Sequence, residues 1–335
     1  MIYKKRWLNI LTSIFDFGPL TPFVEDENIT DINFNGVDLW IDDLVRGRLV
    51  HRNFSSHEVM WRICSRLSNI VNLPFNQQHP VLETDFNHLR ISVIHPSITR
   101  FLSVSIRKTT YKLRLSEAYI GASSYMSISA LKFLKYAVRS KCNILVSGLP
   151  GAGKTELIKF LAGYISRDER IITIEDSYEL HLKQIYPTLD TVEIKVDERF
   201  SYSHAIKACL RQRPNWLLLS EVRGAEIVDL LRCISTGASV MSTVHARSAM
   251  EIPDRIQQMT PVTEYINEQK IFDAINIGIH IDLKICANGI QRFIREIVVF
   301  TREGHYRLYS FKGKRLQAKI PELIKEKAEL YGVKW

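Results

Sequence analysis

The sequence is poor in cysteine and has no long run of apolar residues. Its five cysteines (64, 142, 209, 233 and 286) stand far apart and never form a Cys-x-x-Cys pair, which argues against a disulfide framework or a zinc site. This usage predicts a reducing, cytoplasmic compartment. No stretch approaches the roughly 18 uninterrupted apolar residues of a membrane-spanning helix, so an integral membrane protein is not expected. Repeats and low-complexity segments are also absent, which excludes solenoid and collagenous classes.

The remaining composition is that of an ordinary globular chain long enough for two domains. It has 335 residues, of which 46% are hydrophobic and 24% charged. The net charge is +9, and residues 281–335 hold 12 basic against 6 acidic side chains. Because a nucleic-acid enzyme spreads basic charge over its working face, this concentration at one end disfavours nucleic acid as a partner. We interpret the basic C-terminal end as a solvated tail, with a docking surface as the alternative. Its basic residues are Lys312, Lys314, Arg315 and Lys319.

Residues 25–110 predict an α+β N-terminal domain. Apolar residues alternate in Thr30–Phe34 and Val37–Ile41, on either side of Asn35-Gly36, which favours a β-hairpin. Apolar residues at helical spacing follow, and then two strand-like runs. These predicted elements are a helix over His57–Leu73 and strands over Leu89–Ile94 and Phe101–Ile106.

Residues 1–24 are predicted to be a separate N-terminal amphipathic segment. Lys4, Lys5 and Arg6 precede apolar residues at helical spacing, and no small-residue cleavage site follows, so the segment is expected to be retained. We interpret it as a helix that packs against its own domain. The alternative is peripheral contact of residues 1–17 with an anionic membrane surface.

Residues 111–130 are polar and turn-rich, and we interpret them as a linker. Beyond it, residues 131–335 predict an α/β domain that ends in the basic segment. A helix over Ser129–Ser140 leads into short apolar runs separated by helical stretches, which is typical of a parallel sheet buried on both faces. The runs are Asn143–Ser147, Ile171–Glu175, Trp216–Glu221 and Val240–Val244.

One run of eight residues fits the phosphate-loop pattern GxxxxGK[ST] in full. Glycines are needed because backbone N–H groups must close around a phosphate without a Cβ in the way, and the following helix adds its N-terminal dipole. Lys154 would reach the β- and γ-phosphates, and the Thr155 hydroxyl would bind Mg²⁺. The predicted ATP-binding residues are Gly148, Pro150, Gly151, Ala152, Gly153, Lys154, Thr155 and Glu156.

Two further apolar runs end in an acid and one ends in a histidine. Ligands of an open α/β sheet bind at the carboxyl ends of its strands, so Glu175 and Glu221 are candidates to face the nucleotide. One would hold Mg²⁺ through water and the other would orient the attacking water. His245 would lie near the γ-phosphate and sense whether ATP or ADP is bound. A structural role remains the alternative for each.

Several arginines could supply positive charge to the phosphates. Arg90, Arg100 and Arg107 end or flank strands of the first half, and Arg211 and Arg213 precede the Glu221 strand. An arginine delivered in cis or from a neighbouring subunit accelerates phosphoryl transfer by roughly 10³ to 10⁵. Surface solubility is the alternative interpretation.

The order GLPGAGKT, IITIEDSYEL, LRQRPNWLLLSEVRGAE and STGASVMSTVHARS resembles the Walker A, aspartate, Walker B and histidine boxes of the secretion ATPase superfamily. The chain is most similar to the hexameric traffic ATPases of type IV secretion and tight-adherence pilus systems. ENITDINFNG and HLRISVIHPS resemble the N-terminal domain of that family, and IREIVVF resembles its C-terminal end.

The resemblance implies a RecA-like P-loop motor domain in a homo-hexamer that hydrolyses ATP with Mg²⁺. Glu175 would be the catalytic base, and Glu221 the Walker B acid that holds Mg²⁺ through water. Arg90 and Arg107 match the N-terminal arginines of the family, and Arg100 matches only the pilus-retraction branch. The expected partners are inner-membrane components of a secretion, conjugation or pilus machine, with the protein on the cytoplasmic side of that membrane.

The chain departs from the family pattern at four positions. Ala238 and Val240 replace a histidine and a glycine of the histidine box, Ser220 replaces a glycine, and Asn215 replaces an aspartate. These changes avoid Lys154, so hydrolysis is expected to survive. Two alternatives remain, namely a nucleic-acid-stimulated ATPase or translocase and a nucleotide-binding ring scaffold with little hydrolysis.

Overall fold

A computed structural model describes residues 15–286, 289–313, 316 and 319–335. The chain divides into two compact units. The first runs to Thr110 and includes Ile285–Ile290, and the second comprises Tyr111–Lys284 and Gln291–Trp335. Most of the amphipathic segment (residues 1–14) and the basic residues Lys314 and Arg315 lie outside the described residues.

The described part of the first unit is built on a six-stranded antiparallel sheet, in the order β3-β2-β1-β6-β5-β4. An apolar cluster that joins the sheet to its helices, with Ile32, Met60 and Ile91 among its members, is the core. The prediction of an α+β first half is therefore confirmed. Its elements are β1 (Ile29–Phe34), β2 (Leu39–Asp43), β3 (Gly47–His51), β4 (Val81–Phe86), β5 (Leu89–Ile94), β6 (Ser103–Lys108), α1 (Thr21–Glu25) and α2 (His57–Val71).

Local sequence explains the predicted hairpin and helix. In the β1–β2 turn, Asn35 Oδ1 accepts hydrogen bonds from the backbone N–H groups of Val37 and Asp38, and Gly36 has φ +98°. Helix α2 begins where the Ser56 hydroxyl accepts from the Val59 N–H at 3.3 Å, and it ends at Asn72 in the left-handed conformation. The hairpin and the helix are confirmed.

The second unit contains an eight-stranded sheet in the order β14-β13-β12-β7-β11-β10-β8-β9, counted over the described residues. Strands β9, β8, β10, β11, β7 and β12 run parallel, and β13 and β14 are antiparallel. The strands are β7 (Ile144–Gly148), β8 (Arg170–Glu175), β9 (Asp190–Lys195), β10 (Trp216–Val222), β11 (Ser239–Val244), β12 (Ile277–Cys286), β13 (Gly289–Thr301) and β14 (Gly304–Ser310).

Helices cover this sheet. They are α3 (Glu117–Ala122), α4 (Ile128–Arg139), α5 (Lys154–Ala162), α6 (Leu182–Ile185), α7 (Tyr202–Cys209), α8 (Glu226–Ser235), α9 (Ile252–Met259), α10 (Glu268–Ala274) and α11 (Glu322–Leu330). Along β10, Trp216 and Leu218 join one apolar cluster and Leu217 and Leu219 join another. Neighbouring side chains of one strand therefore enter separate cores, which confirms the prediction of a parallel sheet buried on both faces.

The segment interpreted as a linker contains regular structure. Helix α3 lies within residues 111–130, and Ser116 caps it by accepting from the Tyr119 N–H at 3.0 Å. Tyr111 and all residues that follow it up to Lys284 belong to the second unit.

Cys64, Cys142, Cys209 and Cys233 are free and buried, whereas Cys286 is partly exposed. Burial raises the pKa of Cys64, Cys142 and Cys209 to about 12, and that of Cys233 to about 11. Across the described ranges, no helix combines the length and the apolar character needed to cross a membrane.

Candidate nucleotide-binding site

The phosphate loop connects β7 to α5. Gly148, Gly151 and Gly153 have φ values of +150°, +75° and +94°, a region that side chains rarely adopt. A Cβ on Gly148 would also lie 2.5 Å from the carbonyl oxygen of Ile281, whereas a Cβ on Gly151 would meet nothing within 4 Å. Glycine is therefore required at Gly148 by space and conformation, and at Gly151 by conformation alone.

Lys154 is the first residue of α5, and its ammonium lies over the loop. Its Nζ donates to the carbonyl oxygens of Gly148 at 2.9 Å and Leu149 at 3.3 Å. Burial lowers the pKa of Lys154, and the negative charges of Glu221 and Glu179 partly oppose that shift. The cation therefore lies within electrostatic range of two carboxylates, one on β10 and one in the loop after β8.

Thr155 reaches a carboxylate that the sequence analysis did not select. Its hydroxyl donates to Oε2 of Glu179 at 3.3 Å. Glu179 lies four residues beyond the end of β8, in the loop that leads to α6. Acids that end an apolar run are the candidates at a strand end, and this criterion selects Glu175 but not Glu179. The signal that could have found Glu179 is the second glutamate of the same box.

Glu175, the expected catalytic base, is fully buried. Its Oε2 accepts from the backbone N–H groups of Glu179 at 2.8 Å and Leu180 at 2.9 Å, and its Oε1 accepts from the Thr173 hydroxyl at 3.3 Å. Burial raises its pKa to about 7, against the lowering effect of the two N–H groups. The structure thus ties Glu175 to the turn that carries Glu179 and brings Glu179, instead of Glu175, to Thr155.

Glu221 and His245 come together at the carboxyl ends of β10 and β11. His245 Nε2 lies 2.8 Å from Glu221 Oε1, although the geometry is not that of a hydrogen bond. Burial and the nearby charge of Lys154 lower the pKa of His245, which keeps the ring neutral at neutral pH. Arg223 pairs with Glu221 Oε2 at 2.8 Å and with Asp176 at 3.2 Å, so it bridges the β10 and β8 loops.

Two of the departures from the family pattern make contacts that connect the strands. The Ser220 hydroxyl lies 3.0 Å from the Tyr202 hydroxyl, which accepts from the Asp176 N–H at 3.1 Å. Asn215 Oδ1 accepts from the Arg170 N–H at 2.8 Å, and the Asn215 carbonyl accepts from the Ser239 N–H. Asn215 thereby joins the starts of β8 and β11 to that of β10.

Of the other two departures, Ala238 immediately precedes β11 and Val240 is the second residue of that strand. Both side chains are buried in the core. Val244 at the other end of the strand pairs with Ser147, next to the phosphate loop. Because ligands of such sheets bind at the carboxyl ends, these two changes lie at the end of β11 remote from the site.

Two candidate arginines of the first unit, Arg90 and Arg107, lie side by side on its sheet, and Arg100 lies between β5 and β6. Arg107 is the cross-strand partner of Asp31 on β1 and of Arg90 on β5, and Arg90 is the partner of Asp85 on β4. Arg107 Nε also donates to Asp31 at 2.9 Å. Arg90, Arg100 and Arg107 are exposed.

The remaining candidate residues are Arg211, Arg213 and Glu156. Arg211 and Arg213 are exposed, and Arg213 lies in the left-handed conformation after a short 3₁₀ turn. The Glu156 carboxylate accepts from the backbone N–H groups of Arg114 and, at 3.1 Å, Leu115. Its side chain therefore holds the segment before α3 instead of reaching into the loop.

The donors at this site fit a magnesium ion that accompanies a nucleotide. Mg²⁺ prefers oxygen ligands, keeps several waters and takes one or two protein oxygens. Thr155 and Glu179 place a hydroxyl and a carboxylate together, and Glu221 Oε1 is a buried oxygen without a hydrogen-bond partner in the described structure.

Residues 41–327 match the protein family described as type II/IV secretion system protein. An uncharacterized protein of Bacillus anthracis is 26% identical over 314 residues, which cover 88% of this chain and 70% of that protein. The type IV secretion system protein VirB11 of Brucella suis is 27% identical over 280 residues, which cover 73% of this chain and 76% of that protein.

Among solved structures, the ATPase DotB of Yersinia pseudotuberculosis superposes with a TM-score of 0.65 at 14% identity. The match covers 95% of this chain and 89% of DotB. At that identity the likeness shows the fold alone, a RecA-like domain with an α+β N-terminal domain. Since the family match spans most of the sequence, the chain belongs to the type II/IV secretion system protein family.

Proposed function

We propose that this member of the type II/IV secretion system family is an ATP hydrolase. It works as a homo-hexamer and powers a type IV secretion, conjugation or pilus-assembly machine. The observation that carries the proposal is the meeting of Lys154, Thr155 and Glu179 at one end of the phosphate loop. A lysine, a hydroxyl and a carboxylate in this arrangement are the groups that phosphoryl transfer requires.

The residues of the loop would bind and orient ATP. The backbone N–H groups at the start of α5 would cradle the phosphates, and Lys154 would move from the loop carbonyls to the β- and γ-phosphate oxygens. Bound Mg²⁺, held by Thr155 and through water by Glu221, would neutralise charge that develops on those oxygens.

Glu179 is the better candidate for the residue that orients the attacking water. It contacts Thr155, whereas Glu175 is buried with Oε2 engaged by two N–H groups. His245, neutral and beside Glu221, is placed to respond to the γ-phosphate. Arg90 and Arg107 remain candidates for charge delivered to the phosphates of the same or a neighbouring subunit.

ATP turnover and mass photometry, measured together over a range of protein concentrations, test the proposal. The wild type should form hexamers and hydrolyse ATP, and Lys154→Ala should lose both nucleotide binding and turnover. Lys183→Ala, an exposed lysine of α6, is the matched control and should behave as wild type. A wild type that binds ATP only as a monomer would overturn the hexameric motor.

A ring scaffold with little hydrolysis is the second candidate, because Ala238 and Val240 depart from the family pattern. Their burial at the remote end of β11 favours the motor instead. Wild-type hexamers that bind ATP without turnover would support the scaffold. A nucleic-acid-stimulated translocase would instead show DNA-accelerated hydrolysis with a steep salt dependence.

The proposed location is the cytoplasmic face of the inner membrane, with membrane components of the machine as partners. Peripheral lipid contact through residues 1–17 is testable by co-sedimentation with anionic liposomes. Deletion of residues 1–17 should reduce the bound fraction, and equal binding would reject lipid contact by this segment.

A further inference from the structure

Strand β13 carries an arginine that neither the motifs nor the proposed chemistry uses. Arg292 Nε donates to the carbonyl oxygen of Gly151 at 2.8 Å, inside the phosphate loop. Its Cδ also lies 3.6 Å from the point that a Cβ on Gly153 would occupy. The side chain therefore runs along the loop from Gly151 to Gly153.

The surroundings make Arg292 unusual for an arginine. It is partly buried, and burial together with the nearby charge of Arg114 lowers the pKa of its guanidinium. Within the described residues, its hydrogen bond goes to a backbone carbonyl and it forms no ion pair with a carboxylate. A cation that is partly desolvated without a counter-ion is costly, so its bond to the loop needs an explanation.

Arg292 contacts the peptide between Gly151 and Ala152, and the orientation of this peptide decides where the Ala152 N–H points. A trans peptide points its carbonyl and its N–H in opposite directions. With the Gly151 carbonyl fixed by Arg292, the N–H of Ala152 points the other way and donates to the Leu149 carbonyl at 3.1 Å. Glycines at positions 151 and 153 would otherwise leave this peptide free to rotate.

We propose that Arg292 is a positioning residue for nucleotide binding. It locks the Gly151–Ala152 peptide with the Ala152 N–H on the Leu149 carbonyl, so that the turn keeps the shape in which the other N–H groups of the loop can close around a phosphate. The inference rests on the proposed function, because it takes the loop to be a nucleotide site. Preorganised donors raise affinity by reducing the ordering that binding requires.

Calorimetric titration with ADP and steady-state hydrolysis of ATP test this role in the full-length chain. Arg292→Gln should raise the Kd for ADP and the KM for ATP roughly tenfold, which corresponds to about 1.4 kcal/mol. Its kcat at saturating ATP should stay within about twofold of wild type, because the residue acts on binding. Arg292→Lys keeps one charged donor and should recover part of the affinity.

Arg295→Gln is the matched control on the same strand. Arg295 is exposed and pairs with Asp282 at 3.4 Å, so its replacement should leave the Kd for ADP unchanged. Melting temperatures without nucleotide report folding. If Arg292→Gln fails to fold, Arg292→Lys is used in its place. Its Kd for ADP should lie between the wild-type value and a tenfold weaker one, and a wild-type Kd would reject the positioning role.

The outcomes separate this inference from the proposed function. A wild type that binds no ADP would reject the nucleotide site itself. A wild type that binds and hydrolyses, together with an Arg292→Gln variant of unchanged Kd, would reject only the positioning role. A fall in kcat at unchanged KM would also reject it, since Arg292 would then act on the chemical step.

Discussion

The hydroxyl of Thr155 donates to the carboxylate of Glu179 across 3.3 Å, from the start of α5 to the loop after β8. Glu175, at the end of the same strand, accepts the N–H of Glu179. The two acids of this box therefore have different positions. Glu175 shapes a turn from inside the core, and Glu179 extends from that turn to the phosphate loop.

Replacing the two acids separately should give opposite results. Glu179→Gln should lower kcat by about 10² or more, the usual effect of losing a general base, with ADP affinity within a few-fold of wild type. Glu175→Gln should change folding stability more than kcat, because its carboxylate is buried against backbone donors. Single-turnover hydrolysis and thermal melting measure the two effects.

Glu198→Gln, at an exposed glutamate, is the control for the loss of a negative charge. Wild-type turnover in Glu179→Gln, combined with a folded but inactive Glu175→Gln, would return the role of base to Glu175.

The titration of Glu175 should make the stability of the folded protein depend on pH. Its pKa in the folded protein is raised to about 7 from an ordinary 4.5. The folded state therefore binds the proton more tightly than the unfolded state does. The stabilisation that Glu175 gives the folded state is fully present below about pH 4.5 and is lost as pH rises through 7. The loss amounts to about 3 kcal/mol at most. Urea unfolding near pH 5 and pH 8 measures it.

Relative to wild type, Glu175→Gln should be more stable at pH 8 than at pH 5, so the free energy of unfolding of the variant minus that of wild type should be larger at the higher pH. Glu198→Gln should keep the wild-type pH dependence. A constant difference between wild type and Glu175→Gln at both pH values would contradict the raised pKa.

Alanine at two glycines of the phosphate loop should separate crowding from backbone strain. Gly151→Ala meets no neighbour and should cost about 1 kcal/mol from its positive φ alone. Gly148→Ala adds a Cβ 2.5 Å from the Ile281 carbonyl oxygen, and should lower the free energy of unfolding by more than about 3 kcal/mol. Urea unfolding without nucleotide is the measurement, and equal losses would refute the crowding at Gly148.

His245 should act on turnover and leave affinity for ADP largely intact. It lies beside Glu221, and its lowered pKa leaves it neutral at neutral pH. His245→Asn should lower kcat by about 10² or more, the usual effect of losing one polar contact to the reacting phosphate. His204→Asn, at an exposed histidine of α7, should match wild type. A weaker Kd for ADP at unchanged kcat would argue for a role in binding instead.

The sequence predicts the elements whose signal is local. Strands β7, β8, β10 and β11 are continuous apolar runs, and the glycine–lysine–threonine pattern marks the phosphate loop. Strand β9 was not predicted because it lies at the end of the sheet order with every residue partly or fully exposed, and therefore has no continuous apolar run. Glu179 was missed because the turn that directs it depends on the buried carboxylate of Glu175.

Arg292 could not be found from any local pattern. Its partner in the phosphate loop precedes it by 141 residues, and only the pairing order of the sheet brings them together. Likewise, helix α3 in the polar segment before α4 follows from a serine cap and not from an apolar periodicity.

The burial of the thiols described above makes the chain a convenient host for fluorescent labels. Cys64, Cys142, Cys209 and Cys233 are inaccessible and almost wholly protonated near pH 7, so maleimide dyes should react first at Cys286. Changing Cys286 to serine should leave a nearly silent background. Pairs of introduced surface cysteines would then report distances between the two units by energy transfer during the nucleotide cycle.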